Sequence, residues 1–113
     1  MSLGSEAEFP DGELRTAEAR GWKLLVLRAG SDISVLENRC THAATRLDTG
    51  KVKACVVTCP LHGARFDLRD GAVLTGPATR PLTAFTARLE NGEVMADLPE
   101  KPAPARPKFG VFN

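Results

Sequence analysis

The chain has 113 residues, of which 42% are hydrophobic and 26% charged, and its formal net charge at pH 7 is +1. That is the composition of an ordinary globular protein of single-domain size. It excludes the strongly basic footprint of a nucleic-acid binder and an acidic interaction tail. No stretch approaches the roughly 18 apolar residues that a membrane-spanning helix requires, and no basic segment followed by an apolar one marks a secretory signal at the start. The expected location is therefore the cytoplasm, where thiols stay reduced. Three cysteines, an odd count, argue against a disulfide framework and leave metal binding, catalysis or burial as their uses.

In chain order, residues 1–8 read as a flexible N-terminus and 9–98 as the folded domain. Trp22 to Leu27 is a short apolar run, and Ala29-Gly30-Ser31-Asp32 separates it from Ile33-Ser34-Val35-Leu36. Together they predict a hairpin. Val52 to Val57 predicts one further strand, with Cys55 on the same side as Val57 and therefore buried. Ala64 to Leu68 alternates and runs into Asp70-Gly71. Thr83 to Leu89 alternates and runs into Asn91-Gly92, followed by Val94 and Met95. Both dipeptides are hairpin signals. Trp22 and Phe85 are expected in the core. No window has a convincing helical period. Short strands at close spacing predict an all-β fold, a small antiparallel sandwich or open barrel. From Leu98 onward the prolines exclude helix and central strand, so 99–113 is expected to be an extended tail.

The two histidines of the chain each sit beside a cysteine, in Cys40-Thr41-His42 and in Cys59-Pro60-Leu61-His62, with sixteen residues between His42 and Cys59. Either pair alone is a weak signal, because a lone cysteine is usually a small core hydrophobe. Two such pairs, both in loops flanked by turn formers, point to a metal site on Cys40, His42, Cys59 and His62. Thiolate and imidazole both suit zinc and iron. Zinc fingers place two cysteines in one knuckle and two histidines in the other. Here each loop offers one of each, which fits a two-iron cluster with both thiolates on one iron and both imidazoles on the other. A tetrahedral structural zinc remains the alternative.

This pattern resembles the signature of the Rieske [2Fe-2S] family. Leu47 and Gly50 follow the first loop at the family's positions, and residues 59–67 resemble its second loop and the strand beyond. Gly76-Pro77-Ala78 with Pro81-Leu82 resembles its proline loop. The similarity covers about residues 9–97, with the cluster-binding part at about 38–82. Two departures are an alanine at position 44, where many members have glycine, and the long tail. The length resembles the stand-alone ferredoxins of bacterial ring-hydroxylating dioxygenase systems. The resemblance implies a one-electron carrier rather than an enzyme, working between a flavoprotein reductase and a terminal oxygenase. From the composition neither nucleic acid nor membrane is expected as a partner, and a monomer is the expected state. A Rieske-like subunit of an assimilatory nitrite reductase and a non-redox zinc-binding interaction module are the competing functions.

High-potential relatives carry a disulfide between the two loops and hydroxyls directed at the cluster sulfurs. The matching positions here are Thr45 and Leu61 for the first, Ala64 and Phe66 for the second, so the resemblance implies a low potential. Arg39, Arg46, Arg65, Asp67, Arg69 and Asp70 surround the ligand loops, and their mixed signs indicate no preference between acidic and basic partners.

Overall fold

In the computed structural model, which describes residues 1–41 and 45–100, eleven short strands form three antiparallel sheets. The first sheet joins β1 (Ser2–Ser5), β11 (Glu93–Ala96) and β10 (Ala87–Glu90) in that order. The second has the order β2 (Leu14–Ala19), β3 (Trp22–Ala29), β4 (Asp32–Glu37) and β9 (Ala84–Phe85). The third is β5 (Lys51–Lys53), β6 (Val56–Thr58), β7 (Arg65–Asp67) and β8 (Val73–Thr75). The antiparallel all-β expectation holds.

Strand β3 explains why the apolar run in the sequence is continuous and not alternating. Successive side chains of a strand point to opposite faces, and both faces of this one are covered. Trp22, Leu24 and Val26 enter one core with Val35, Phe9, Val94, Ala96 and Leu98. Leu25 and Leu27 enter a second core with Leu36, Val57, Phe66, Leu68, Cys40 and Cys59. Pairing of Leu25 with Leu36 and of Val26 with Val35 fixes the register between β3 and β4. A slip of one residue would exchange the two cores, so register is strongly specified. Burying each of these aliphatic side chains contributes about 1.5–3 kcal/mol.

Trp22 and Phe85 are in the core as expected, ring edge to ring face with centroids 4.9 Å apart. The Trp22 indole N–H donates to the Pro99 carbonyl at 2.9 Å, which holds the start of the tail against the domain. The rest of the expected tail, 101–113, lies outside the described residues.

Three expectations are corrected. Residues 1–8 are not a loose terminus: Ser2–Ser5 pair with β11, and Glu6–Glu8 form a 3-10 turn whose Glu8 carboxylate accepts from the Ser5 N–H at 2.8 Å. Strand β2 was not foreseen, because Leu14–Ala19 carries only small or polar residues around Leu14 and pairs along one side of β3. Val52 to Val57 is not one strand but a hairpin. Lys53 pairs with Val56, and the two residues between them, Ala54 and Cys55, have φ of 51° and 63°. Left-handed conformation at two L-residues costs roughly 1–2 kcal/mol each, and neither residue belongs to the Asn-Gly type that announces such a turn. Cys55 is consequently at a turn and half-buried, not an inward strand residue. By contrast Asn91-Gly92, with φ of 52° and 77°, forms the turn its sequence indicates.

Relief of this turn is measurable. Ala54→Asn, at an exposed position, places a residue tolerant of the left-handed region there and is expected to stabilise by about 1 kcal/mol. The thermal midpoint should rise by roughly 4 °C. A midpoint unchanged or lowered in a melting experiment would contradict the strain assigned to Ala54.

Candidate metal centre

Two loops at one end of the β5–β8 sheet and the end of β4 carry the predicted ligands. Both are closed in the same way. The Cys40 N–H donates to the Thr45 carbonyl and the Cys59 N–H donates to the Ala64 carbonyl, each at 2.7 Å. In both cases the bond spans five residues and encloses the histidine of its loop. The second loop is tightened further by the Gly63 N–H on the Cys59 carbonyl at 3.1 Å, with Gly63 at φ 78°.

Cys40 and Cys59 are fully buried, free of any disulfide, and belong to one apolar cluster that also contains Leu47, Ala64, Phe66 and Ala78. His62 is exposed at the second loop. His42, like the departure at Ala44, lies outside the described residues. Among the described residues no three histidine, cysteine or acidic side chains gather into one metal-binding group. The structure thus brings two of the four predicted ligands into one core and places the third at the surface above it. Buried soft thiols beneath an accessible imidazole suit a group bound by sulfur on its inner side and nitrogen on its outer side. Ala64 and Phe66, both fully buried, bring no hydroxyl to this core.

The loops are held by contacts that the sequence did not reveal. Asn38, the one buried polar residue among the described residues, spans the base of the first loop. Its side-chain oxygen accepts from the Leu47 N–H at 2.6 Å and the Asp48 N–H at 3.2 Å, and its amide donates to the Asp48 carboxylate at 2.8 Å. The Asn38 bond, aided by the Arg46 guanidinium and opposed by partial burial, holds the Asp48 carboxyl below its ordinary pKa. An asparagine just after a strand reads as turn chemistry, so only its depth distinguishes it. The Thr41 hydroxyl donates to the Arg80 carbonyl at 2.6 Å and ties the first loop to the proline loop, whose Ala78 is buried in the same core as the two cysteines. Gly50 is required because a Cβ there would run into the Thr58 carbonyl oxygen. At Gly71, φ is +84° and a Cβ would meet the Leu82 carbonyl oxygen at 2.7 Å, so the turn after β7 can lie against the end of the proline loop.

Comparison with known proteins agrees with this arrangement. Residues 1–86 match the family model for the Rieske [2Fe-2S] domain. The ferredoxin component of the naphthalene 1,2-dioxygenase system of Pseudomonas aeruginosa is 32% identical over 91 residues, 80% of this chain and 88% of that protein. Among solved structures, the ferredoxin of carbazole 1,9a-dioxygenase from Nocardioides aromaticivorans IC177 superposes with a TM-score of 0.77 at 28% identity, covering 85% of this chain and 94% of that one. A complex of reduced oxygenase and oxidized ferredoxin in carbazole 1,9a-dioxygenase matches with a TM-score of 0.75 at 29% identity, covering 85% and 90%. The chain belongs to the Rieske [2Fe-2S] domain family, and its cofactor is one Rieske-type [2Fe-2S] cluster.

Asn38→Ala leaves the buried Leu47 N–H without its acceptor, at a cost of about 1–3 kcal/mol. Faster bleaching of the visible chromophore under an iron chelator is the expected outcome. The pH dependence has a definite sign. Because the Asp48 carboxyl is lowered on folding, its contribution is complete above the unfolded aspartate value of about 3.9. It is lost as pH falls through the lower folded value. The variant should therefore lose less stability on acidification than the parent, as measured by denaturant midpoints between neutral and acid pH.

Proposed function

We propose that Cys40, His42, Cys59 and His62 hold the cluster, with the two thiolates on the inner iron and the two imidazoles on the outer one. On this reading the protein is a soluble one-electron carrier that takes electrons from a flavin-dependent reductase and passes them to a terminal ring-hydroxylating oxygenase. The observation that carries it is the pair of equivalent loops, each closed by a cysteine N–H on the carbonyl five residues later, over one shared buried core. The resemblance to ferredoxins of dioxygenase systems supports the same role, and a ferredoxin–oxygenase complex among the similar structures supports the oxygenase as acceptor.

When bound, the cluster stores and releases one electron. Everything else falls to this chain's residues. Cys40 and Cys59, buried among Leu47, Phe66 and Ala78, would keep the inner side out of water. His62, at the surface, would put the outer side within reach of a partner. An oxygenase active site would need a further iron on two histidines and a carboxylate. With both histidines of the chain engaged, the protein is an electron-transfer component and not the catalyst. On the same reading it works as a monomer in the cytoplasm. Among the described residues no helix is long and apolar enough to cross a membrane.

Ala64 and Phe66 set the potential low in the Rieske range of roughly −150 to +300 mV, because hydrogen bonds that would favour the reduced cluster are absent. Ala64→Ser with Phe66→Tyr should raise the midpoint. The rise is about 60 mV for each ~1.4 kcal/mol by which the new bonds strengthen on reduction. A redox titration showing no positive shift with the chromophore intact would refute the assignment of these two positions.

The decisive measurement is the visible and low-temperature EPR spectrum of the purified protein before and after dithionite. A red-brown protein whose reduced form has a lower average g value than an all-cysteine two-iron cluster is expected, as is loss of that signal in His62→Ala. A colourless protein with stoichiometric zinc after anaerobic preparation would overturn the function.

A further inference from the structure

The mixed signs around the ligand loops do not survive folding as an even mixture. Residues 38–82 contain seven arginines and lysines and three aspartates, a net +4, so a chain of net +1 carries −3 on its remaining residues. Two of the three aspartates are paired with arginines, and the third keeps its charge. Asp48 is paired with Arg46 at 2.9 Å and Asp67 with Arg69 at 2.7 Å. Asp70 accepts from the Ala72 N–H in the turn between β7 and β8, remote from the ligand loops.

Of the five cations left, Lys53 stands at the β5–β6 turn, and the other four, Arg39, Lys51, Arg65 and Arg80, stay exposed nearer the ligand loops, none in an ion pair with a described residue. Arg39 precedes Cys40. The Arg80 carbonyl accepts from Thr41. Lys51 and Arg65 both pair with Thr58, the residue before Cys59, so they stand in one cross-strand row on one face of the sheet. At the usual strand spacing they are roughly 10 Å apart, within a Debye length at about 0.1 M salt. Like charges gathered this way repel one another unless an anion meets them. Leu61, two residues after Cys59 in the second loop, is 58% exposed, and an exposed apolar side chain beside charged ones is the composition of a protein interface. With two thiolates and two neutral imidazoles, the oxidised cluster adds no net charge to offset the rim.

We propose that Arg39, Lys51, Arg65 and Arg80 form a cationic docking rim for a redox protein whose own electron-transfer face is bordered by aspartate and glutamate. This rests on the electron-carrier reading above. The negative remainder of the chain orients the encounter, turning the ligand end toward the acidic partner.

The test uses the holoprotein alone. Stopped-flow oxidation of the dithionite-reduced protein is followed with anionic ferricyanide and with a cationic cobalt(III) complex, tris(phenanthroline)cobalt(III), from about 0.01 M to about 1 M salt. With a cationic rim, ferricyanide oxidation slows roughly tenfold or more as salt rises, whereas the cobalt oxidation speeds up. Lys51→Glu with Arg65→Glu should reverse or flatten both slopes with an unchanged EPR signature, and Arg39→Gln with Arg80→Gln should flatten them if the first pair folds poorly. Poly-L-aspartate, standing in for a carboxylate-rich face, should slow ferricyanide oxidation, and poly-L-lysine should not. Rates insensitive to salt, slopes of the opposite sign, or tighter binding of duplex DNA than of polyaspartate would overturn the proposal. Absence of a Rieske EPR signal would instead fail the electron-carrier reading, and the spectrum taken before mixing separates the two.

Discussion

Burial of β3 on both faces is the constraint from which the rest of the structure follows. Its even-numbered side chains close the core beneath the β1–β11–β10 sheet, and Leu25 and Leu27 close the core that contains Cys40 and Cys59. One strand therefore couples the scaffold to the ligand loops through its parity. A register error there would not weaken one core at the expense of the other; it would present the wrong residues to both. The ladder to β4 prevents this, and β4 leads directly to Asn38 and Cys40.

On that platform the two ligand loops repeat one device. Each cysteine is buried by the core below it and its N–H is committed to the carbonyl five residues later. Thiol position is thereby set by packing and backbone together, and in the second loop Pro60, Leu61, His62 and Gly63 stay exposed. The loops differ in what braces them. The second is braced by its own paired strands, β6 and β7, whereas the first runs between β4 and β5, which lie in different sheets, and uses the Asn38 side chain for the same purpose. A buried amide whose oxygen and nitrogen both have partners can do this without the penalty of an unsatisfied polar group.

How much of this the sequence discloses depends on whether a signal is local. The hairpin of β3 and β4, the turns at Asp70-Gly71 and Asn91-Gly92, and the Cys-x-His and Cys-x-x-His pairs are local patterns with a physical cause, and they were legible. The β5–β6 turn was not, because Ala54 and Cys55 adopt left-handed conformation against their preference, under the demand of the Val52–Val57 and Lys53–Val56 pairings. Strands β1 and β2 were missed because long-range pairing, not apolar content, makes them strands. Asn38 was missed because its role is defined by depth, and depth is a property of the whole fold.

Charge shows the same separation between composition and arrangement. Read along the chain, Asp67 and Arg69 are two signs in a mixed neighbourhood. In the fold they form one fork at 2.7 and 3.0 Å that holds the Asp67 carboxyl below its ordinary pKa and presents little net charge outward. Arg46 and Asp48 form a second such fork, at 3.0 and 2.9 Å, at the base of the first loop. Such exposed pairs add little stability. Their larger consequence is subtraction: by binding cations to the Asp48 and Asp67 carboxylates, they leave Arg39, Lys51, Arg65 and Arg80 to define the field at the ligand end. Pairing within the fold, more than the count of charges, determines which sign that end of the molecule offers to an approaching partner.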